Sequence, residues 1–152
     1  MSVGRWLVVK VRFEGGRELE RALLELKGTT AKGVVRRVLK KVAQPIADKA
    51  NANAPEAEGD LNKSYVVGTR LNKRQRRAAR NASRDDVTVY VGTNNPAGVQ
   101  QEFGNAKHSA QPHFRPAWDA EKTGLVEKIG QSMRVEVEKA AARARRKAAR
   151  SK

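Results

Sequence analysis

The chain has no cysteine, an absence that removes disulfides, thiolate zinc sites and a cysteine nucleophile together. Histidine is scarce too, with His108 and His113 the only two in 152 residues. They stand five apart across a proline, and without cysteine any metal held there would need carboxylates or water to complete its shell. The sequence therefore predicts no metal and no cofactor. The two histidines read as a loop residue and a residue packed beside Phe114. Ser109 next to His108 has no oriented third partner and no nucleophile-elbow motif, so no catalytic residue is nominated. Long apolar runs are missing as well. The N-terminal one extends only from Trp6 to Val9 before Lys10, too short for a signal peptide, and nothing approaches a membrane span. Together these absences predict a non-enzymatic protein made in the cytoplasm, with no membrane partner.

What is present is positive charge, unevenly placed. The formal net charge is +16. Arg70, Lys73, Arg74, Arg76, Arg77, Arg80 and Arg84 fall within residues 70–84, a stretch without an acid. Lys139, Arg143, Arg145, Arg146, Lys147, Arg150 and Lys152 fall within residues 139–152, again without an acid. Removing these fourteen from 32 basic residues leaves 18 against 16 acidic ones, a body of only +2. The length suits one domain that buries about two thirds of its unfolded surface. Residues 1–138 are expected to form that domain and residues 139–152 a basic C-terminal arm. An apolar fraction of 39%, below the roughly 45–50% of globular chains, predicts that part of the chain orders only against partners.

The local patterns predict an α+β fold: a small, mainly antiparallel sheet packed by helices, with a long basic hairpin loop and an extended C-terminal helix. Residues 6–13 are β-branched and aromatic and end at Gly15-Gly16, which reads as a strand. Leu19, Ala22, Leu23 and Leu26 have helical spacing, with Gly28 placed to close the helix. Thr29 or Thr30 can cap a second helix with Val35, Val38, Leu39, Val42 and Ile46 on one stripe. Pro45 is expected to kink it and Pro55 to end it. Ser64–Arg70 and Asp86–Gly92 read as two strands, with Val87, Val89 and Val91 sharing a face. Asn95-Pro96 opens a short helix with Val99 and Phe103 four apart and Gly104 just past its end. A last helix is expected to begin at Pro116, with Leu125, Val126, Ile129, Met133 and Val137 as its apolar stripe. Beyond Val137 the nonpolar side chains are all alanine, which favours helix but gives little tertiary support.

The most informative stretch is Gln100–Asp119, with a Glu102-Phe103-Gly104 turn and prolines bracketing His113-Phe114-Arg115. Pro116 fixes its own φ and disfavours a helical Arg115. Phe114 and Trp118 stand four apart, and Trp118 alone can bury on the order of 200 Å². The segment reads as a stiff docking corner. This turn followed by Pro112-x-Phe114-Arg115-Pro116-Ala117, with Ala54-Pro55, Gly59-Asp60-Leu61 and Ser64 upstream, resembles the tail-completion family of tailed bacteriophages. The resemblance spans roughly residues 7 to 130, and Asn105 stands where the family commonly has threonine.

That resemblance implies a structural virion protein of the neck. Six copies would form a ring joining the head connector or stopper to the tail terminator or tail tube, with DNA passing through the lumen. It implies subunit contacts at Glu102, Phe103, Gly104, Pro112, Phe114, Arg115, Pro116 and Trp118. From the residues alone, Glu102 and Arg115 are either a bidentate pair closing the loop or two solvated charges worth at most about 1 kcal/mol. The two basic stretches could meet DNA phosphates, which would be sequence-independent because no aromatics interleave them. They could equally be a solvated loop and an arm docking on an acidic protein. The rival function on charge alone is a sequence-independent, architectural nucleic-acid binder.

Overall fold

A computed structural model describes residues 17–26, 28–55, 60–78 and 86–150. The strand expected at 6–13 lies outside them. The element order is α1 (Arg17–Glu25), α2 (Gly28–Asn53), a 3-10 turn (Asp60–Lys63), β1 (Val66–Gly68), α3 (Lys73–Ala78), β2 (Tyr90–Gly92), α4 (Pro96–Phe103), α5 (Phe114–Lys122) and α6 (Leu125–Arg150). This is the expected α+β class with a long C-terminal helix. β1 and β2 pair antiparallel, with Val66 opposite Gly92, Val67 opposite Val91 and Gly68 opposite Tyr90. The basic connection between them is not all loop, because α3 occupies part of it.

Two apolar clusters share α2. In the first, Val34, Val38, Val42 and Ile46 repeat every four residues and meet Leu19 and Leu26 beside α1 and Leu125, Ile129, Met133 and Val137 of α6. Each of these side chains contributes about 1.5–3 kcal/mol by leaving water. In the second, the same helix turns alanines inward. Ala47, Ala50 and Ala54 pack with Ala117 of α5, Leu61 and Tyr65. Small side chains on both helices let α5 lie close against α2. Phe114 and Val91 touch both clusters and join them.

Both strands are shorter than the expected spans 64–70 and 86–92, and four helix boundaries also differ from the expected ones. α1 closes without Gly28, through a bond from the Leu26 N–H to the Leu23 carbonyl, and Gly28 instead opens α2, upstream of the expected threonine cap. α2 continues through Pro45 to Asn53. Pro45 lies on the exposed face, where the Lys41 carbonyl it leaves without a helical donor can meet water. The third difference is the start of α5 at Phe114 rather than Pro116. Pro116 then sits within the first turn, where its missing N–H costs no helical bond. Arg115 is helical despite preceding proline, and the site below supplies the reason. Finally, the single last helix is two. Thr123-Gly124 separates α5 from α6, with Gly124 at φ +77, a backbone state that suits glycine.

Candidate functional site

α4 is built from local chemistry. Asn95 accepts a bond from the Ala97 N–H at 3.0 Å, Pro96 takes the first position, and Gly104 at φ +72 returns its N–H to the Gln100 carbonyl. The helix approaches the sheet closely through Gly98. A Cβ there would stand 2.6 Å from Thr93 Cγ2, 3.2 Å from the Tyr65 hydroxyl and 3.3 Å from Leu61 Cδ1. Gly98 and Glu102 form the buried face. Val99 and Phe103, four apart as the sequence suggests, face outward, and Phe103 is half exposed.

Glu102 organises the corner. Its Oε2 accepts the backbone N–H groups of His113 and Phe114, each at 2.9 Å, and its Oε1 accepts that of Arg115 at 3.0 Å. These are the orphan donors at the start of α5. His113 occupies the cap position, but its own side chain makes no capping bond. A carboxylate from eleven residues upstream does that work, placed where the helix dipole favours an anion. This anchoring holds Arg115 helical against the bias of the following proline.

Arg115 completes the arrangement from outside. Its Nε donates to Glu102 Oε1 at 3.0 Å and its Nη2 to the Glu102 carbonyl at 2.8 Å. The expected pair therefore exists, but as a fork spanning one carboxylate oxygen and the backbone rather than a bidentate clasp of the carboxylate. The guanidinium also lies 4.9 Å from the centre of the Phe103 ring. Burial pushes the Glu102 carboxyl up. The N–H groups of Phe114, His113 and Arg115 outweigh that and leave it below its ordinary value.

Behind Glu102 lies a second buried layer. The Tyr65 hydroxyl and His113 Nε2 are 2.6 Å apart, and His113 Nδ1 is 3.1 Å from the Gln111 carbonyl. A proton on Nδ1, donated to that carbonyl, leaves Nε2 to accept from the phenol. Burial, followed by the Glu102 charge, raises the Tyr65 pKa well above its usual value, so the phenol keeps its proton. Asn51 clasps the Tyr65 backbone with two bonds of 2.9 Å, and Asn53 donates to the His113 carbonyl at 3.2 Å. Thus the end of α2, the start of β1 and the start of α5 are tied at one point.

The loop between α4 and α5 is ordered by Asn105, whose side-chain oxygen accepts the Lys107 and His108 N–H groups. Pro112 and Pro116 are exposed, while Phe114 and Trp118 are half-buried against the core. The structure thus gathers the residues nominated from the resemblance, but most of them hold the chain to itself. Tyr65, Asn51, Asn53 and Gly98 were not nominated. Their partners lie up to 60 residues away, and only the Gly98 position inside a helix gave a local sign.

The basic residues are placed apart from this corner. Arg70, Lys73 and Arg76 are exposed at and beyond the end of β1, and Arg74 and Arg77 belong to α3. Arg80, Arg84 and Lys152 lie outside the described residues. Lys139, Arg143, Arg145, Arg146, Lys147 and Arg150 are exposed on α6, which runs without a break through residue 138. Among the described residues no group of three or more acidic or histidine side chains could hold a metal ion, and no helix is long and apolar enough to cross a membrane.

A family model described as "Bacteriophage HK97-gp10, putative tail-component" matches residues 17–104, from α1 to the glycine that ends α4. The chain belongs to the HK97-gp10-like family. It is accordingly a structural protein of the bacteriophage virion. The match contains Glu102 and stops before Arg115, so the second half of the corner is read from geometry. No curated protein and no solved structure matches the chain.

Proposed function

We propose that this HK97-gp10-like protein is a neck component that closes into a ring of six copies. The ring joins the head connector or stopper to the tail terminator or tail tube and lets DNA pass through its lumen. The observation that carries the proposal is the corner's two-sided character. Inside, Glu102 answers three backbone donors and fixes the angle between α4 and α5. Outside, Phe103 stays half exposed with the Arg115 guanidinium over its ring. A closed ring needs one rigid, repeated contact between unlike surfaces of neighbouring copies, since a flexible one would not close. Phe103 and Arg115 supply the contact, and Pro112 and Pro116 flank it. Glu102, Gly104, Phe114 and Trp118 hold it in position. Residues 1–138 act as the ring body and residues 139–152 as a basic arm extending from it.

The test uses the purified full chain with and without connector protein, read by native mass and particle images. Wild-type protein should give six-fold rings in at least one condition. Phe103→Asp should keep its melting temperature, because the side chain is half exposed and belongs to neither core cluster, and should fail to assemble. Wild-type monomers in both conditions, or normal rings from Phe103→Asp, would reject the proposal.

A further inference from the structure

The exposed end of α6 carries its cations in an ordered way. Lys139, Arg143, Arg146 and Arg150 recur at steps of three or four residues and Lys147 stands four beyond Arg143, so the five share one side of the helix. Arg143, Arg146, Lys147 and Arg150 line one common recess, and Arg145 falls to the other side. No acid occurs from Lys139 to Arg150. At the inner end Glu136 accepts from Arg37 of α2 at 3.1 Å and from Lys139 at 3.3 Å. That clamp fixes the direction in which the stripe leaves the body and engages Lys139, the first of its cations, and Glu138 is the last acid before the stripe.

We propose that this stripe is a sequence-independent binding site for the phosphate backbone of nucleic acid. At about 1.5 Å per residue its five cations rise over roughly 16 Å, with axial steps of about 4.5–6 Å between turns. Phosphates on one strand advance about 3.4 Å each, so long, mobile side chains at this spacing can meet several in succession. An acidic protein surface is the lesser fit. Protein interfaces draw most of their energy from buried aromatic or large apolar anchors, and from Ala140 to Ala149 the nonpolar side chains are all alanine. A phosphate backbone requires charge alone. The site stands on this charge geometry and not on ring formation, so the two readings can fail separately.

The full chain should be titrated with labelled 20-base-pair duplexes of two unrelated sequences at about 50 to 200 mM salt, with polyglutamate as a second probe. Both duplexes should bind equally. Each phosphate contact contributes about 0.9 to the slope of log affinity against log salt, so the variant R143Q/R146Q/K147Q/R150Q should lose about 3 to 4 units of slope. Glutamine preserves helix propensity, and a chain ending at Ala142 gives a second version of the same loss. R70Q/K73Q/R76Q should change the slope less than the stripe variant does. The inference is overturned by an unchanged slope in the stripe variant, by polyglutamate binding as tightly as duplex, or by the slope residing in residues 70–76. Rings that form normally yet bind no duplex would overturn it while leaving the assembly proposal intact.

Discussion

Arg115 and Arg143 are both exposed arginines on helices of the same chain, yet their surroundings could hardly differ more. Arg115 reaches a carboxylate, a carbonyl and an aromatic ring, all supplied by α4. Arg143 stands among other cations with no acid on its stretch of helix. A cation with internal partners belongs to the fold. Cations arrayed together without an acid are free to meet a partner from outside, as proposed for the end of α6. The corner and the arm therefore divide the work, one fixing shape and the other offering charge, and substitutions in the two should behave oppositely.

The largest loss should come from Glu102→Ala. It strands three N–H groups and leaves Arg115 without its carboxylate in a site where Glu102 is 5% exposed. A broken buried charge network of this kind costs about 3–5 kcal/mol, or roughly 10 °C of melting temperature at this chain length. The same carboxylate sets an acid limb. Its folded pKa lies below the ordinary 4.5, so its stabilising contribution is complete above that value and fades as pH falls through the lowered one. Unfolding curves from pH 7 to 3 should show a steeper limb in wild type than in Glu102→Gln, the remainder belonging to Glu121 and Glu136, whose carboxyls the lysines and arginine beside them also lower.

Gly98→Ala sharpens the contrast through its sign. Helix propensity alone would favour alanine by about 1 kcal/mol, but the new Cβ meets the Thr93 methyl at 2.6 Å. Overpacking at such a contact costs about 1–3 kcal/mol, so urea denaturation should show a net loss. A gain would mean that α4 can lift from the sheet and that the corner is less rigid than argued. Tyr65→Phe should cost about 1–2 kcal/mol, since it removes the partner of a His113 ring that is 1% exposed.

How much of this could be read from the chain followed the range of the interactions. α4 was legible to the residue because Asn95, Pro96 and Gly104 act on their immediate neighbours. Val38, Val42 and Ile46 of α2 were legible because their period survives burial, but Val34 is the buried member at the start of the stripe, and the expected Val35 and Leu39 pack only at its edge. The start of α5 was not, because Glu102 decides it from eleven residues upstream against the local bias of Pro116. The break at Thr123-Gly124 was hidden because the stripe starting at Leu125 remains in phase with a single helix. Val99 and Phe103 were legible as a pair but not as an exposed one. Spacing shows that two side chains share a face, and only the close approach at Gly98 reveals which face turns inward.

The smallest effect on stability should come from deleting residues 143–152, and this is the change that tests the division most directly. Val137 and Ala140 are the last buried residues of α6, so a cut after Ala142 removes exposed alanines and cations and no core contact. A helix end without a packed face adds little to the folded state, and surface changes of this kind stay within about 0.5 kcal/mol. The melting temperature should therefore shift by less than about 2 °C, while heads and tails carrying the truncated protein should fail to join. A cut before Lys139 would blur the result by taking Ala140 with it. A shift of about 5 °C or more after the later cut would mean that the arm packs on its own body, and normal yields of infectious particles would mean that it reaches nothing essential. Either result would dissolve the contrast between a part that fixes shape and a part that offers charge.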